Sequence, residues 1–145
     1  MSICRVCFSL AMALPLLFSG CGDSAVPSRP QFTVRGKVFY RGQPAARAIV
    51  VLHPMNQADP PPFPPRAVAG KDGSFVVGSR LANDGAPAGE YAVTIVWPEE
   101  PGPTTPAGDT PPDRLKNRYN DLKHSKWHIH VAAASDNALE TFKIE

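Results

Sequence analysis

Apolar and polar residues alternate along several short segments of this chain. In residues 32–40, apolar side chains stand at 32, 34, 38 and 40, with Thr33, Arg35 and Lys37 between them. A period of two places these sets on opposite faces of a β-strand. Apolar alternation or short apolar runs bounded by turn residues also predict strands at 46–53, 66–70, 74–79, 90–97, 127–133 and 139–144.

The segments between these strands carry turn and loop signals. Asp72 and Gly73 separate two β segments, and an Asp-Gly pair in that position is a strong hairpin signal. The stretches 54–65 and 98–112 hold six prolines each, which excludes a central strand or a regular helix in either. Both stretches are therefore predicted to be exposed loops.

Two more local features complete the architecture. Gly89 and Tyr91 resemble a tyrosine corner, in which a phenol hydroxyl bonds to nearby backbone at a crossover between strands. Residues 113–121 predict one or two helical turns from the spacing i, i+4, i+7 of Leu115, Tyr119 and Leu122. The chain shows no βαβ rhythm. It is predicted to be all-β: a seven-stranded antiparallel Greek-key sandwich, transthyretin-like or immunoglobulin-like, with one short helix.

The first twenty residues differ from the rest. After Arg5, residues 6–18 are apolar except for Ser9, a run too short to cross a bilayer but of the length of a signal-peptide core. The segment 17–21, Leu-Phe-Ser-Gly-Cys, resembles a bacterial lipobox, in which the cysteine receives lipid and becomes the mature N-terminus. We expect a signal peptide at 1–20, lipidated Cys21 with a tether at 21–30, and a β-sandwich at 31–145. An ordinary signal peptide cut near Gly20 is the alternative.

Composition narrows the function classes. The only cysteines are Cys4, Cys7 and Cys21, so the domain after the lipidation site has no disulfide, thiolate metal ligand or thiol nucleophile. A net charge of +2 gives no reason to expect nucleic-acid binding. The chain is expected to lie in the cell envelope, anchored by its acyl chains to a membrane, on the periplasmic or outer face.

The order of these pieces resembles bacterial lipoproteins with a carboxypeptidase regulatory-like domain. The resemblance covers most of residues 32–144 and is carried by the segments 34–38, 42–44, 49–54, 71–75, 86–98 and 113–119. It implies a transthyretin-like sandwich and an envelope location. It implies no particular activity, since one fold hosts many functions.

His128 and His130 are the sharpest candidates for chemistry. On a strand both imidazoles project from the same face, close enough for one metal ion, with His53 or His124 as a possible third ligand. The alternative is that they form the solvent face of a strand whose other face is apolar, and the sequence shows no carboxylate at ligand spacing beside them. The chain also lacks the Tyr-Arg-Gly-Ser ending of the hydroxyisourate hydrolases that the fold resembles.

The sequence thus favours a non-catalytic binding or structural module that needs no cofactor. Its predicted contact surfaces are the loops 54–65 and 98–112, facing an envelope protein or polysaccharide. One alternative is a metal-binding or hydrolytic envelope protein that uses His128 and His130. Another is an accessory domain for carbohydrate or peptide chains.

Overall fold

The computed structural model describes residues 29–58, 60–102, 106 and 111–145. This part of the chain forms nine strands and one short 3-10 helix at Leu122–His124. The strands are β1 (Thr33–Tyr40), β2 (Gln43–Pro44), β3 (Ile49–Met55), β4 (Arg66–Val68), β5 (Ser74–Val76), β6 (Gly89–Val96), β7 (Trp127–Val131), β8 (Asp136–Ala138) and β9 (Phe142–Ile144).

These strands make two sheets, which confirms the predicted β-sandwich. In the first sheet β1 is central: it pairs antiparallel with β2 and β5 and parallel with β8 and β9. The second sheet has the order β4-β3-β6-β7 and is antiparallel throughout. The described residues therefore contain more and shorter strands than the seven expected, and the last two run alongside β1 in its own direction.

The core fills the space between the two sheets. Val34 and Val38 of β1 are completely buried, as the alternation predicts, while Arg35 and Lys37 are exposed. Strands β3 and β6, central in their sheet, contribute the largest share of the other fully buried side chains: Val50, Leu52, Tyr91, Val93 and Ile95. Because burying each such aliphatic or aromatic side chain contributes roughly 1.5–3 kcal/mol, this layer supplies the main driving force for folding.

The Asp-Gly turn forms, but it joins the two sheets. Gly73 has a φ of +77°, and the Asp72 carboxylate accepts hydrogen bonds from the Ser74 amide and hydroxyl. However, β4 before the turn pairs with β3, whereas β5 after it pairs with β1. The predicted hairpin therefore keeps antiparallel backbone hydrogen bonds near its two ends, between Arg66 and Gly78 and between Gly70 and Ser74, but its arms separate between them.

The short helix lies at 122–124 rather than at 113–121. Residues 114–119 form successive turns, in which Lys116 and Asn117 have positive φ values of 53° and 59°. The Asp113 carboxylate accepts the amides of Leu115 and Asn117, which favours turns over a regular helix. Of the three apolar residues whose spacing predicted the helix, Leu115 and Tyr119 are buried and Leu122 is exposed.

Candidate functional site

A groove of about 1120 Å³ lies along the side of the sandwich where β4 and β5 meet. Its walls come from β1, β4, β5, the loop after β5 and the chain between β8 and β9. Four of the residues that line it are cationic and none of these described residues is acidic: the cations are Arg35, Lys37, Arg66 and Arg80.

The groove exists because β4 and β5 separate between two fixed points. Arg66 and Gly78 exchange two backbone hydrogen bonds, and the Gly70 amide donates to the Ser74 carbonyl. Val68 and Val76 are opposite each other midway between these points, yet within the described chain no β-bridge joins them. Val68 pairs instead with Ile49 in the second sheet, and Val76 pairs with Arg35 in the first sheet. The gap therefore exposes strand-edge backbone and two valine side chains.

The four cations differ in how they are partnered. The Arg35 guanidinium binds Asp136 through Nε–Oδ1 at 2.9 Å and Nη2–Oδ2 at 2.5 Å, and this contact raises the pKa of Arg35 and lowers the pKa of Asp136. Among the described residues, no carboxylate lies within ion-pair distance of Lys37, Arg66 or Arg80. Lys37 still interacts electrostatically with the Asp72 carboxylate, beyond ion-pair distance. A ligand in the groove can therefore reach these three cations without displacing an ion pair.

Apolar side chains stand among these charges. Leu81 is 74% exposed and Val68 is 64% exposed, and Val76 is also exposed. Large apolar groups this open to water cost solvation free energy unless something covers them. The groove can therefore contact a ligand that has both negative and apolar groups.

A capped loop forms one wall of the groove. The Asp84 carboxylate accepts the amides of Ser79, Arg80 and Leu81 at 2.5, 3.1 and 3.1 Å. Burial alone would raise the pKa of Asp84, but the amide donors outweigh it and lower that pKa. These three hydrogen bonds position Arg80 and Leu81 beside the gap.

We predict that Asp84→Ala lowers the free energy of unfolding by about 1–2 kcal/mol, the range for losing a carboxylate cap on backbone amides. Because the pKa of Asp84 is lowered on folding, its contribution is present above about pH 4 and is lost as the pH falls further. Urea unfolding at pH 7 and pH 3 should show a gap between wild type and variant that narrows at the lower pH. An equal gap at both values would contradict this role of the ionised carboxylate.

His128 and His130 lie on the outer face of the second sheet, away from the groove. Both are exposed on β7, while Trp127 and Ile129, which alternate with them, pack against the core. His130 is opposite Glu90 of β6, with His130 Nδ1 and Glu90 Oε1 2.6 Å apart. Sequence spacing missed this carboxylate because it lies forty residues away, and only the strand register reveals it.

The other two histidines have separate partners. His53 Nε2 lies 2.9 Å from Thr94 Oγ1, and burial lowers the pKa of His53. His124 Nδ1 lies 2.6 Å from Asp121 Oδ2 beside the 3-10 helix. Among the described residues, no three His, Cys, Asp or Glu side chains converge on a common metal position.

A hydrogen bond from the Tyr91 hydroxyl reaches the backbone just before β6. Tyr91 is completely buried, and its hydroxyl donates to the Pro87 carbonyl at 2.8 Å. Gly89 has a φ of +150°, and a Cβ at this position would lie 2.6 Å from Gln57 Nε2. The hydrogen bond between Tyr91 and Pro87 therefore links the segment that leads into β6 to the strand itself.

Some predicted features lie wholly or partly outside the described residues. Cys21 and the signal segment are among them, as are residues 103–105 and 107–110 of the second proline loop. In the first loop, Phe63 is 73% exposed and Pro65 is fully buried. No helix in the described parts of the chain is long and apolar enough to cross a membrane.

These observations define the class of protein: a β-sandwich module with a basic groove on one side. No family model and no curated protein matches the chain. The solved structures that are similar to it include the following three. One is a 9R-lipoxygenase from Cyanothece PCC8801, with a TM-score of 0.46, 10% identity and coverage of 79% of this chain and 16% of that one.

The other two are DUF3823 family proteins. The one from Bacteroides ovatus ATCC 8483 has a TM-score of 0.39 and 18% identity, and covers 79% of this chain and 45% of that one. The one from Parabacteroides merdae ATCC 43184 has a TM-score of 0.41 and 14% identity, and covers 81% and 47%. This chain thus matches less than half the length of each of these three structures. The sandwich assignment rests on the two sheets described above.

Proposed function

We propose that this chain is a lipid-anchored, non-catalytic binding protein of the bacterial cell envelope, and that its groove holds an acidic, partly apolar peptide segment of another envelope protein. In this proposal the signal peptide ends at residue 20, Cys21 carries the lipid, and residues 21–30 tether the sandwich. The resemblance to lipoproteins with a carboxypeptidase regulatory-like domain supports the same location. The proline loops 54–65 and 98–112 would add contacts at the rim, with Phe63 as one anchor.

The observation that carries the proposal is the charge of the groove. Lys37, Arg66 and Arg80 come from three separate segments, and the fold brings them to one concave surface without a carboxylate partner within ion-pair distance among the described residues. Such a surface attracts negative ligands and raises their rate of association. It therefore selects for an anionic partner.

The apolar residues and the open strand edges favour a peptide over an anionic polysaccharide. Val68 and Val76 present side chains and backbone groups together at the gap between β4 and β5. Peptides that bind a strand edge use main-chain hydrogen bonds for affinity and alternate side chains for specificity. A sulfated or carboxylated glycan would satisfy the cations but leave Leu81 and the valines exposed.

Fluorescence anisotropy with a labelled eight-residue peptide of alternating glutamate and leucine tests this proposal on the full chain in detergent. We expect Lys37→Glu combined with Arg66→Glu to weaken peptide binding by about tenfold or more, because two attractive contacts become repulsive. The matched control is Lys116→Glu combined with Lys123→Glu. It makes the same change in net charge at exposed positions outside the groove and should leave the affinity nearly unchanged.

Two outcomes would overturn the proposal. If both double variants weaken binding equally, then the peptide responds to net charge and not to the groove. If dextran sulfate binds as tightly as the peptide and competes with it, the ligand is an anionic polymer and the peptide assignment fails.

A further inference from the structure

The outer surface of β7, at the opposite edge of the second sheet from the groove, has an unassigned arrangement of two imidazoles and one carboxylate. His128 and His130 are two residues apart on one strand, so their side chains leave the same face. Glu90 stands directly across from His130, and Ala92 stands directly across from His128. Directly opposed residues of antiparallel strands have Cβ atoms only about 4.5–5.5 Å apart.

The contact between His130 and Glu90 determines which ring nitrogen is available. Glu90 Oε1 can only accept a hydrogen bond when ionised, so His130 Nδ1, 2.6 Å away, carries the proton. In the neutral imidazole the lone pair is then on Nε2, which points away from the carboxylate. A carboxylate bound to one nitrogen of a histidine is the usual partner of a metal-binding imidazole, since it sets the tautomer and increases the basicity of the other nitrogen.

The space next to His130 suits a second imidazole. The small side chain of Ala92 lies opposite His128 and is covered by its neighbours, whereas His128 is exposed and makes no side-chain hydrogen bond within the described chain. Its ring is therefore able to turn towards His130 Nε2. Two strand neighbours of this kind can chelate one ion without any movement of the backbone.

We propose that His128 and His130 form a two-histidine chelate for Zn²⁺, with Glu90 as the positioning residue that holds His130 in the metal-binding tautomer. Neutral imidazole nitrogen suits Zn²⁺ and related late transition-metal ions, whereas Mg²⁺ and Ca²⁺ prefer oxygen ligands. Water completes the coordination shell, because the site lies on an exposed face. The ion is therefore exchangeable and is taken from solution.

The test is a titration of the full chain, without an affinity tag, with Zn²⁺ alone, followed by ¹⁵N shifts of the histidine rings in NMR spectra. We expect Zn²⁺ to shift the Nε2 signals of His128 and His130 together, and Mg²⁺ to shift neither. His128→Ala and His130→Ala should each weaken binding at these rings by at least about tenfold. Following individual rings keeps any binding at the cysteines separate from this site.

His124→Ala is the matched control. His124 also pairs with a carboxylate at 2.6 Å, that of Asp121, but it has no second imidazole two residues away on a strand. The substitution should leave Zn²⁺ binding at β7 unchanged. If Zn²⁺ shifts His124 as strongly as His130, or if binding persists after the loss of His128, the chelate does not exist.

Glu90→Gln tests the positioning role separately. Removing a carboxylate that orients a metal-binding histidine typically weakens metal binding by roughly 10–100-fold, so we expect a loss in that range. In the metal-free variant the ¹⁵N shifts should also show that the proton of His130 is no longer confined to Nδ1. An unchanged tautomer and an unchanged affinity would overturn the role of Glu90.

Discussion

Tyr91→Ala should lower the free energy of unfolding by about 3–5 kcal/mol, the range for truncating a large buried aromatic side chain. Tyr91 is completely buried, lies on the central strand β6 and is the largest of the fully buried side chains in the described structure. A domain of this size is stabilised by only about 5–15 kcal/mol, so the variant should be close to unfolding at 37 °C. Chemical unfolding followed by tryptophan fluorescence measures the change.

Tyr91→Phe separates the hydroxyl from the ring. It keeps the packing but leaves the buried Pro87 carbonyl without its 2.8 Å donor, which should cost about 1–3 kcal/mol. Tyr40→Phe is the control, because Tyr40 is half-buried and packs on Trp97 without a hydrogen bond from its hydroxyl in the described chain. Equal stability of Tyr91→Phe and wild type would show that the corner contributes nothing through its hydrogen bond.

Wild type and Tyr91→Phe should also differ in how their stability changes in alkaline solution. Burial raises the pKa of the Tyr91 phenol above its ordinary value of about 10. The stability linked to this group is therefore fully present below pH 10 and is lost as the pH rises through the higher folded-state pKa. Wild type should lose more stability than Tyr91→Phe above pH 10, because phenylalanine has no proton to lose.

The sequence predicted well those strands whose residue types follow directly from which of their faces are buried. Val34 and Val38 alternate with Arg35 and Lys37 because one face of β1 is buried and the other is in water. The apolar residues on both faces of β3 and β6 likewise reflect their central places in the sheet. In each case burial of a single segment fixes the residue types.

The features that the sequence did not predict depend on which segments become neighbours. The Asp-Gly turn has the local signature of a hairpin, yet tertiary pairing draws β4 and β5 into different sheets. In residues 113–121 the helical spacing of apolar residues was outweighed by backbone hydrogen bonds to Asp113. The residue pattern within a single segment does not indicate which other segment it will pair with.

Both candidate sites are formed by residues that are distant in the sequence and become neighbours only in the folded chain. The groove collects Lys37, Arg66 and Arg80 from segments separated by loops, and Glu90 meets His130 across forty residues. Neither set has a spacing that could be recognised along the chain. His128 and His130 could be found because both lie on one strand, whereas their carboxylate partner required the register of β6 against β7.

Cys21→Ser should abolish acylation of the chain entirely. A serine hydroxyl cannot form the thioether that attaches diacylglycerol to a lipobox cysteine, and each buried CH₂ of an anchor contributes about 0.8 kcal/mol to membrane binding. Intact mass and incorporation of radiolabelled palmitate report acylation directly. They are preferable to fractionation alone, because a variant that retains its apolar leader could stay with the membrane for that reason.

Cys4→Ser and Cys7→Ser are the matched controls, since they make the same chemical change inside the segment that acylation and processing would remove. Both variants should incorporate palmitate as wild type does and should yield the same mature mass. The alternative, cleavage near Gly20 by an ordinary signal peptidase, requires an unlabelled wild-type protein with a free thiol at residue 21. Wild-type protein with that thiol would remove the anchor from the proposed function while leaving the sandwich, the groove and the histidine face unchanged.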